Sequence, residues 1–118
     1  MLTLAMFLAM LTAPFIQGAE TITVAFGSDG PDGIRGVACH SDFRAVEGHA
    51  QDLCGDVPDN TIKLFPEFIP DERTLLDTLA HEACHLTIGV VPGDSPWVRF
   101  QEATCYAVGV GYAVTALR

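Results

Sequence analysis

The chain has 118 residues and is acidic, with 15 Asp and Glu residues against 6 Lys and Arg and a formal net charge of -9. This length allows one domain with a modest core, and an apolar content of 49% excludes an intrinsically disordered chain. Nucleic-acid phosphates and anionic membranes attract clustered Lys and Arg residues. The sequence contains no such cluster, so we expect neither as a partner.

The first 16 residues, MLTLAMFLAMLTAPFI, carry no charge and precede the small residues Gly18 and Ala19. The run is shorter than the roughly 20 apolar residues of a membrane span. It is typical of a secretory signal, so we predict that residues 1–19 are a signal peptide cleaved near Ala19. A buried first helix is the alternative, because no Lys or Arg precedes the run. Residues 20–118 then form a single domain of a secreted or periplasmic protein, with no stable membrane insertion once the signal is removed.

Two segments have the alternating, β-branched pattern of strands, Thr21 to Phe26 and Thr61 to Phe65. Residues 27–36 are rich in Gly, Asp and Pro and are predicted to be a loop, as are residues 54–60. The segment between these loops has no clear pattern and could hold a short helix around residues 43–46.

Two helices are predicted after the second strand. The first should begin after Asp71, a good N-terminal cap, and run over residues 72–87 to a stop at Gly89. The second should follow a Ser95 cap, begin with Pro96 and continue to about residue 109 or further. We therefore predict an α+β domain, with a small antiparallel or mixed sheet packed on these two helices.

The first predicted helix contains the pattern His-Glu-Ala-Cys-His at residues 81–85. Side chains four residues apart lie on one face of a helix, one turn apart, so the His81 and His85 imidazoles can bind one zinc ion. Glu82 is rotated about 100° from His81, where it can accept a proton from water at the ion. Two surface histidines near a helix end are the alternative.

The stretch TLLDTLAHEACHL, residues 74–86, resembles the zincin superfamily of zinc metallopeptidases. The resemblance implies that His81 and His85 are zinc ligands, that Glu82 is the general base and that the reaction is peptide-bond hydrolysis. It also implies a minimal zincin-like fold, in which the edge strand of the sheet binds the peptide substrate. The segment from Thr61 to Phe65 lies where that edge strand is expected.

A catalytic zinc site usually has three protein ligands and water. No His follows His85, so the zincins with a third His soon after the motif do not fit. The gluzincins, in which a Glu on a later helix is the third ligand, do fit, because Glu102 is the only Glu after the motif and lies in the second predicted helix. We predict one Zn²⁺ ion held by His81, His85 and Glu102. Asp94, His40 and His49 are the alternatives to Glu102.

The four cysteines, Cys39, Cys54, Cys84 and Cys105, form an even set behind an apparent signal, which indicates disulfides and an oxidising compartment. They lack the C-x-x-C spacing that is typical of four-cysteine zinc sites. Cys84 and Cys105 each lie three residues after a predicted ligand, so the zinc would bring them together if the helix directions allow it. The favoured pairing is Cys39–Cys54 and Cys84–Cys105.

Two positions near the motif have open roles. Gluzincins often carry an acidic residue four positions after the ligand Glu, where this chain has Tyr106. Asp77, one turn before His81, could orient that imidazole through its second nitrogen. The group that stabilises the oxyanion is also open, with His49, Tyr106, Tyr112 and Arg99 as candidates.

The function predicted from these residues is a zinc metallopeptidase that acts on a peptide or protein substrate. The alternative is a non-catalytic, secreted binding module that is stabilised by zinc and disulfides. A structural zinc site would give Glu82 no role, which favours the enzyme. The oligomeric state is left open.

Overall fold

The computed structural model of the protein describes residues 2–28, 30–41, 53–89 and 96–118. In chain order the elements are β1 (Leu2–Thr3), α1 (Leu4–Met10), β2 (Thr23–Phe26), β3 (Gly36–Cys39), β4 (Thr61–Leu64), α2 (Glu72–Ile88) and α3 (Pro96–Ala116). A short 3-10 helix, Pro66–Phe68, precedes α2. The helix predicted around residues 43–46 lies outside the described residues.

The four strands form one mixed sheet in the order β1-β2-β4-β3. The two outer pairs, β1 with β2 and β3 with β4, are antiparallel, whereas the central pair, β2 with β4, is parallel. In that central pair Thr23 lies opposite Thr61, and their hydroxyl oxygens are 2.6 Å apart. The predicted α+β class is confirmed, and the sheet is of the mixed kind.

The prediction that residues 61–65 form an edge strand is wrong. Strand β4 lies between β2 and β3, and three of its four residues are buried, as is expected of a strand with neighbours on both sides. The edge strands of the described sheet are β1 and β3. Strand β3 has four residues and begins at the end of the predicted loop. Strand β3 pairs antiparallel with β4, and its last residue, Cys39, is bonded to Cys54.

Helix α2 begins and ends at the residues that the sequence signals indicate. The Asp71 carboxylate accepts a 2.7 Å hydrogen bond from the Thr74 backbone N–H, and hydrogen bonding to Thr74 lowers the pKa of Asp71. Gly89 ends the helix with a φ of 89°, a conformation that glycine adopts without steric cost. The helix is one residue longer than the predicted range.

Helix α3 begins at Pro96, as predicted, and continues seven residues beyond residue 109 to Ala116. Two contacts show that α3 runs antiparallel to α2. Near the start of α3, the Gln101 side chain donates to the Gly89 carbonyl at the end of α2. Further along α3, Gly109 contacts Asp77 in the first half of α2. The proposed Ser95 cap lies outside the described residues.

The N-terminal segment is part of the sheet and the core of this structure. Strand β1 pairs with β2, and the side chains of Leu4 and Leu8 on α1 are 0% and 2% exposed. The Tyr112 hydroxyl on α3 donates a hydrogen bond to the Pro14 carbonyl, and burial raises the pKa of this tyrosine. In this structure the N-terminal run forms a buried first helix, as the alternative to a signal peptide predicts. Cleavage near Ala19 stays a prediction.

The apolar core lies between one face of the sheet and the three helices. Its sheet side chains come from the central strands and its helical side chains from α1, α2 and α3. The buried members are Leu4, Leu8, Ala19, Ile22, Val24, Ile62, Leu64, Leu76, Leu79, Ala83 and Ala113. This packing fixes α2 on the sheet by one face and leaves the face with the motif histidines toward α3.

Across the described ranges, no helix combines the length and the apolar character needed to cross a membrane.

In the chain that retains residues 1–19, Leu8→Ala should lower the free energy of unfolding by about 2–5 kcal/mol, because it leaves a cavity in the core. Met10→Ala on the same helix is the matched control: Met10 is 69% exposed, and its loss should change stability by less than about 0.5 kcal/mol. Urea unfolding measures both. If both substitutions had equally small effects, α1 would not be packed in the core.

The intact mass of the exported protein would show separately whether residues 1–19 are removed.

Candidate metal centre

Helices α2 and α3 are joined by a disulfide next to the motif. Cys84 and Cys105 are bonded with their Cα atoms 5.4 Å apart, and the second disulfide joins Cys39 to Cys54. Both pairs are those favoured from the sequence. The antiparallel direction of the helices, which the sequence does not show, is what brings the cysteines within bonding distance.

The three predicted metal ligands meet across the contact between α2 and α3. The Glu102 carboxylate lies with Oε1 at 2.8 Å from His81 Nε2 and Oε2 at 3.0 Å from His85 Nε2. The two Nε2 atoms are 3.2 Å apart. The ligand atoms of two imidazoles from one helix and a carboxylate from the next therefore lie within 4.8 Å of one another, and the group could hold a metal ion.

The spacing of the two imidazole nitrogens is compatible with a small tetrahedral cation. Ligand distances of about 2.0–2.1 Å from a tetrahedral zinc ion place the donor atoms roughly 3.3–3.4 Å from one another. The two imidazole nitrogens are 3.2 Å apart, close to this value, and they lie 2.8 and 3.0 Å from different oxygens of the Glu102 carboxylate. Neutral imidazole and ionised carboxylate are both ordinary zinc ligands.

The site is open on the side of α3. The His81 and His85 side chains are 21% and 17% exposed, whereas the Glu102 side chain is 59% exposed. A cation held here would thus be anchored on partly buried imidazoles and face solvent past the carboxylate. A fourth position for water or a substrate oxygen is the arrangement that separates catalytic zinc sites from structural ones.

Glu82 follows His81 directly and is half-buried. Because successive residues are rotated by about 100° on a helix, its side chain leaves α2 in a different direction from that of His81. Glu82 is accordingly not a member of the three-donor group.

The alternatives for the third ligand are not brought to the motif within the described residues. His40 follows β3 and does not belong to the donor group that His81, His85 and Glu102 form. The other two, His49 and Asp94, lie outside the described residues.

The residues with open roles separate by position. Tyr112 is about ten residues beyond Glu102, some 15 Å along α3, and its hydroxyl is bonded to the Pro14 carbonyl, so it is not placed to act at the metal centre. Arg99 and Tyr106 lie about one turn before and after Glu102 on α3 and are both exposed. They remain the described candidates for oxyanion stabilisation. The described contacts include no hydrogen bond between Asp77 and His81.

Two residues that support the site are missed by the sequence analysis. The Gln101 side chain donates a 2.7 Å hydrogen bond to the Gly89 carbonyl and so connects the start of α3 to the end of α2. Gly109 lies in the helix contact beside Asp77 and His81. A glycine inside a predicted helix is the signal that could have identified Gly109, whereas nothing in the sequence marks Gln101.

Comparisons of the chain with protein-family models, with curated proteins and with solved structures find no match of any kind.

The purified protein should bind one zinc ion per chain after dialysis against excess zinc. His85→Ala removes a donor and should abolish stoichiometric binding, whereas His40→Ala should leave it unchanged because His40 is not in the cluster. Metal analysis by mass spectrometry and competition with a chromophoric chelator measure the stoichiometry and the affinity. Equal binding by both variants would exclude the His81–His85–Glu102 site.

Removing either disulfide should cost similar stability but have different effects on metal binding. The bonded cysteines are 15 and 21 residues apart, so each disulfide should contribute about 3 kcal/mol by restricting the unfolded chain. Cys84→Ala with Cys105→Ala should also weaken zinc binding, because that bond holds the ligand helices together. Cys39→Ala with Cys54→Ala is the matched control. A similar loss of zinc affinity in both double variants would contradict this assignment.

Proposed function

We propose that the chain is a zinc-dependent metallopeptidase in which His81, His85 and Glu102 hold one Zn²⁺ ion and Glu82 is the general base. The observation that carries the proposal is that the ligand atoms of His81, His85 and Glu102 lie within 4.8 Å of one another on two facing helices. Glu82, a second acidic residue, follows His81 directly in the sequence. The resemblance of residues 74–86 to the zincin motif supplies the reaction class.

The donor set favours zinc over the common hard cations. Calcium and magnesium take oxygen ligands almost exclusively, whereas two imidazoles with one carboxylate suit a transition metal. The same three groups also occur in non-haem iron(II) sites with open positions. The Glu82 position distinguishes the two in this proposal, because a base beside the ion has a direct role in hydrolysis.

Zinc at this point would polarise the substrate carbonyl and make water more acidic. Glu82 accepts the proton of the attacking water and then delivers it to the nitrogen of the leaving amine, so that it ends the cycle ionised as it began. His81 and His85 are held in place by the backbone of α2. Glu102 would contribute one negative charge, which offsets half of the charge of the cation.

The edge strand β3 is the proposed place for the peptide substrate. It packs beside α2, with Gly36 against the Thr78 side chain, and pairs with β4 along one side. A peptide in extended conformation would add to the opposite side of β3 through main-chain hydrogen bonds. In this proposal β3 has the substrate-binding role that the family resemblance predicts for residues 61–65.

Secretion is part of the same proposal. The chain has two disulfides. Disulfides persist in oxidising compartments and are rare in the reducing cytosol. The apolar N-terminal run supplies the predicted export signal.

Glu82→Gln should bind zinc as the wild type does but lose peptidase activity by a factor of about 10²–10⁴, the usual contribution of a general base. Glu67→Gln is the matched control, since Glu67 lies on the 3-10 helix before α2 and is not in the donor group. Cleavage of a mixed peptide library, followed by mass spectrometry, measures activity and specificity together.

The outcomes of that experiment separate the candidate functions. Cleavage by the wild type and by Glu67→Gln, but not by Glu82→Gln, supports the peptidase. Stoichiometric zinc without cleavage by any variant supports the non-catalytic binding module. Iron in place of zinc in the protein as purified would exclude the zinc assignment.

A further inference from the structure

We infer that Gly109 is a positioning residue of the metal centre: its lack of a side chain lets α3 approach α2 closely enough for Glu102 to reach both imidazoles. The inference rests on the proposed metal site and adds to it a residue that binds neither metal nor substrate.

The contact at Gly109 is tighter than any side chain permits. A Cβ atom placed on Gly109 would lie 2.7 Å from the Asp77 carbonyl oxygen, in contact with the Asp77 carboxylate, and 3.3 Å from Cβ of His81. The carbonyl oxygen belongs to the backbone of α2 and cannot rotate away, as the end of a flexible side chain could. A methyl group at residue 109 would therefore require the two helices to separate.

Gly109 lies on the same face of α3 as the ligand and the disulfide. Glu102, Cys105 and Gly109 are separated by three and then four residues, which places them along one stripe of the helix. The stripe faces Asp77, His81 and Cys84 on α2, which have the same separations in sequence. The disulfide thus fixes the helix spacing at one point of the stripe, and Gly109 sets it about one turn further along α3.

The spacing matters because the carboxylate has little excess reach. Glu102 contacts His81 with one oxygen and His85 with the other, at 2.8 and 3.0 Å. An outward shift of α3 near His81 would pull the carboxylate away from the point where the imidazole nitrogens meet. Ligand orientation of this kind is commonly worth about a tenfold to hundredfold change in metal affinity.

Helix α3 contains its own control. Gly111 is two residues from Gly109, is exposed, and would place a Cβ atom in open space with no atom within 4 Å. Glycine inside a helix is less favourable than alanine, so Gly111→Ala should stabilise the fold and leave the helix contact as it is. Gly109→Ala gains the same helical preference but introduces the clash.

The test compares zinc affinity and the visible absorption spectrum of the Co²⁺-substituted protein in the wild type, Gly109→Ala and Gly111→Ala. We expect Gly109→Ala to bind zinc about ten to a hundred times more weakly and to give an altered cobalt spectrum, while Gly111→Ala matches the wild type in both. A Gly109→Ala protein that melts at a lower temperature but keeps the affinity and the spectrum would assign Gly109 a purely structural role and overturn the inference.

Glu102→Asp provides a second test if Gly109→Ala does not fold. It shortens the ligand by one methylene at an exposed position without touching the helix contact, so it should weaken zinc binding and alter the cobalt spectrum in the same direction. Unchanged binding by Glu102→Asp would show that helix spacing is not limiting, which overturns the inference. A wild type that binds no metal would instead refute the proposed function itself.

Discussion

The antiparallel contact between α2 and α3 is the constraint on which the candidate site depends. All three candidate ligands are on these two helices. If the helices moved apart by the length of a carboxylate group, Glu102 would lose its contacts with both His81 and His85. The Cys84–Cys105 bond, the close approach at Gly109 and the hydrogen bond from Gln101 to Gly89 all act on this one distance. The sheet has an indirect role, since it buries the opposite face of α2 and so fixes which face remains for α3.

Local signals in the sequence were sufficient for the helices. The Asp71 cap and the Gly89 stop mark the ends of α2, because capping depends on groups within a few residues of the helix terminus. Pro96 marks the start of α3 in the same way, since proline fits the first turn of a helix. The histidine spacing then follows directly from helical geometry. These features required no knowledge of how distant parts of the chain meet.

The sheet order was not available from local signals. Strand β3 has only four residues, begins with Gly36 and is stabilised by pairing with β4 and by the Cys39–Cys54 bond, all of which are long-range contacts. Because the sequence does not predict β3, the family resemblance places residues 61–65 at the edge of the sheet. The family resemblance and the lack of another Glu after the motif predict that Glu102 meets the histidines. The direction of α3, which permits this contact, depends on long-range packing that the residues do not show. The composition of the apolar N-terminal run does not distinguish an export signal from a buried helix, because both require uncharged aliphatic side chains.

The Cys84–Cys105 bond closes a covalent ring that contains His85 and Glu102 and the whole connection between the helices. His81 lies three residues outside this ring, on the uninterrupted backbone of α2. A single proteolytic cut anywhere in the connection would leave both fragments tied to each other and all three donor groups in one molecule. A cut in the segment that joins the helices would therefore not separate the three candidate ligands from one another.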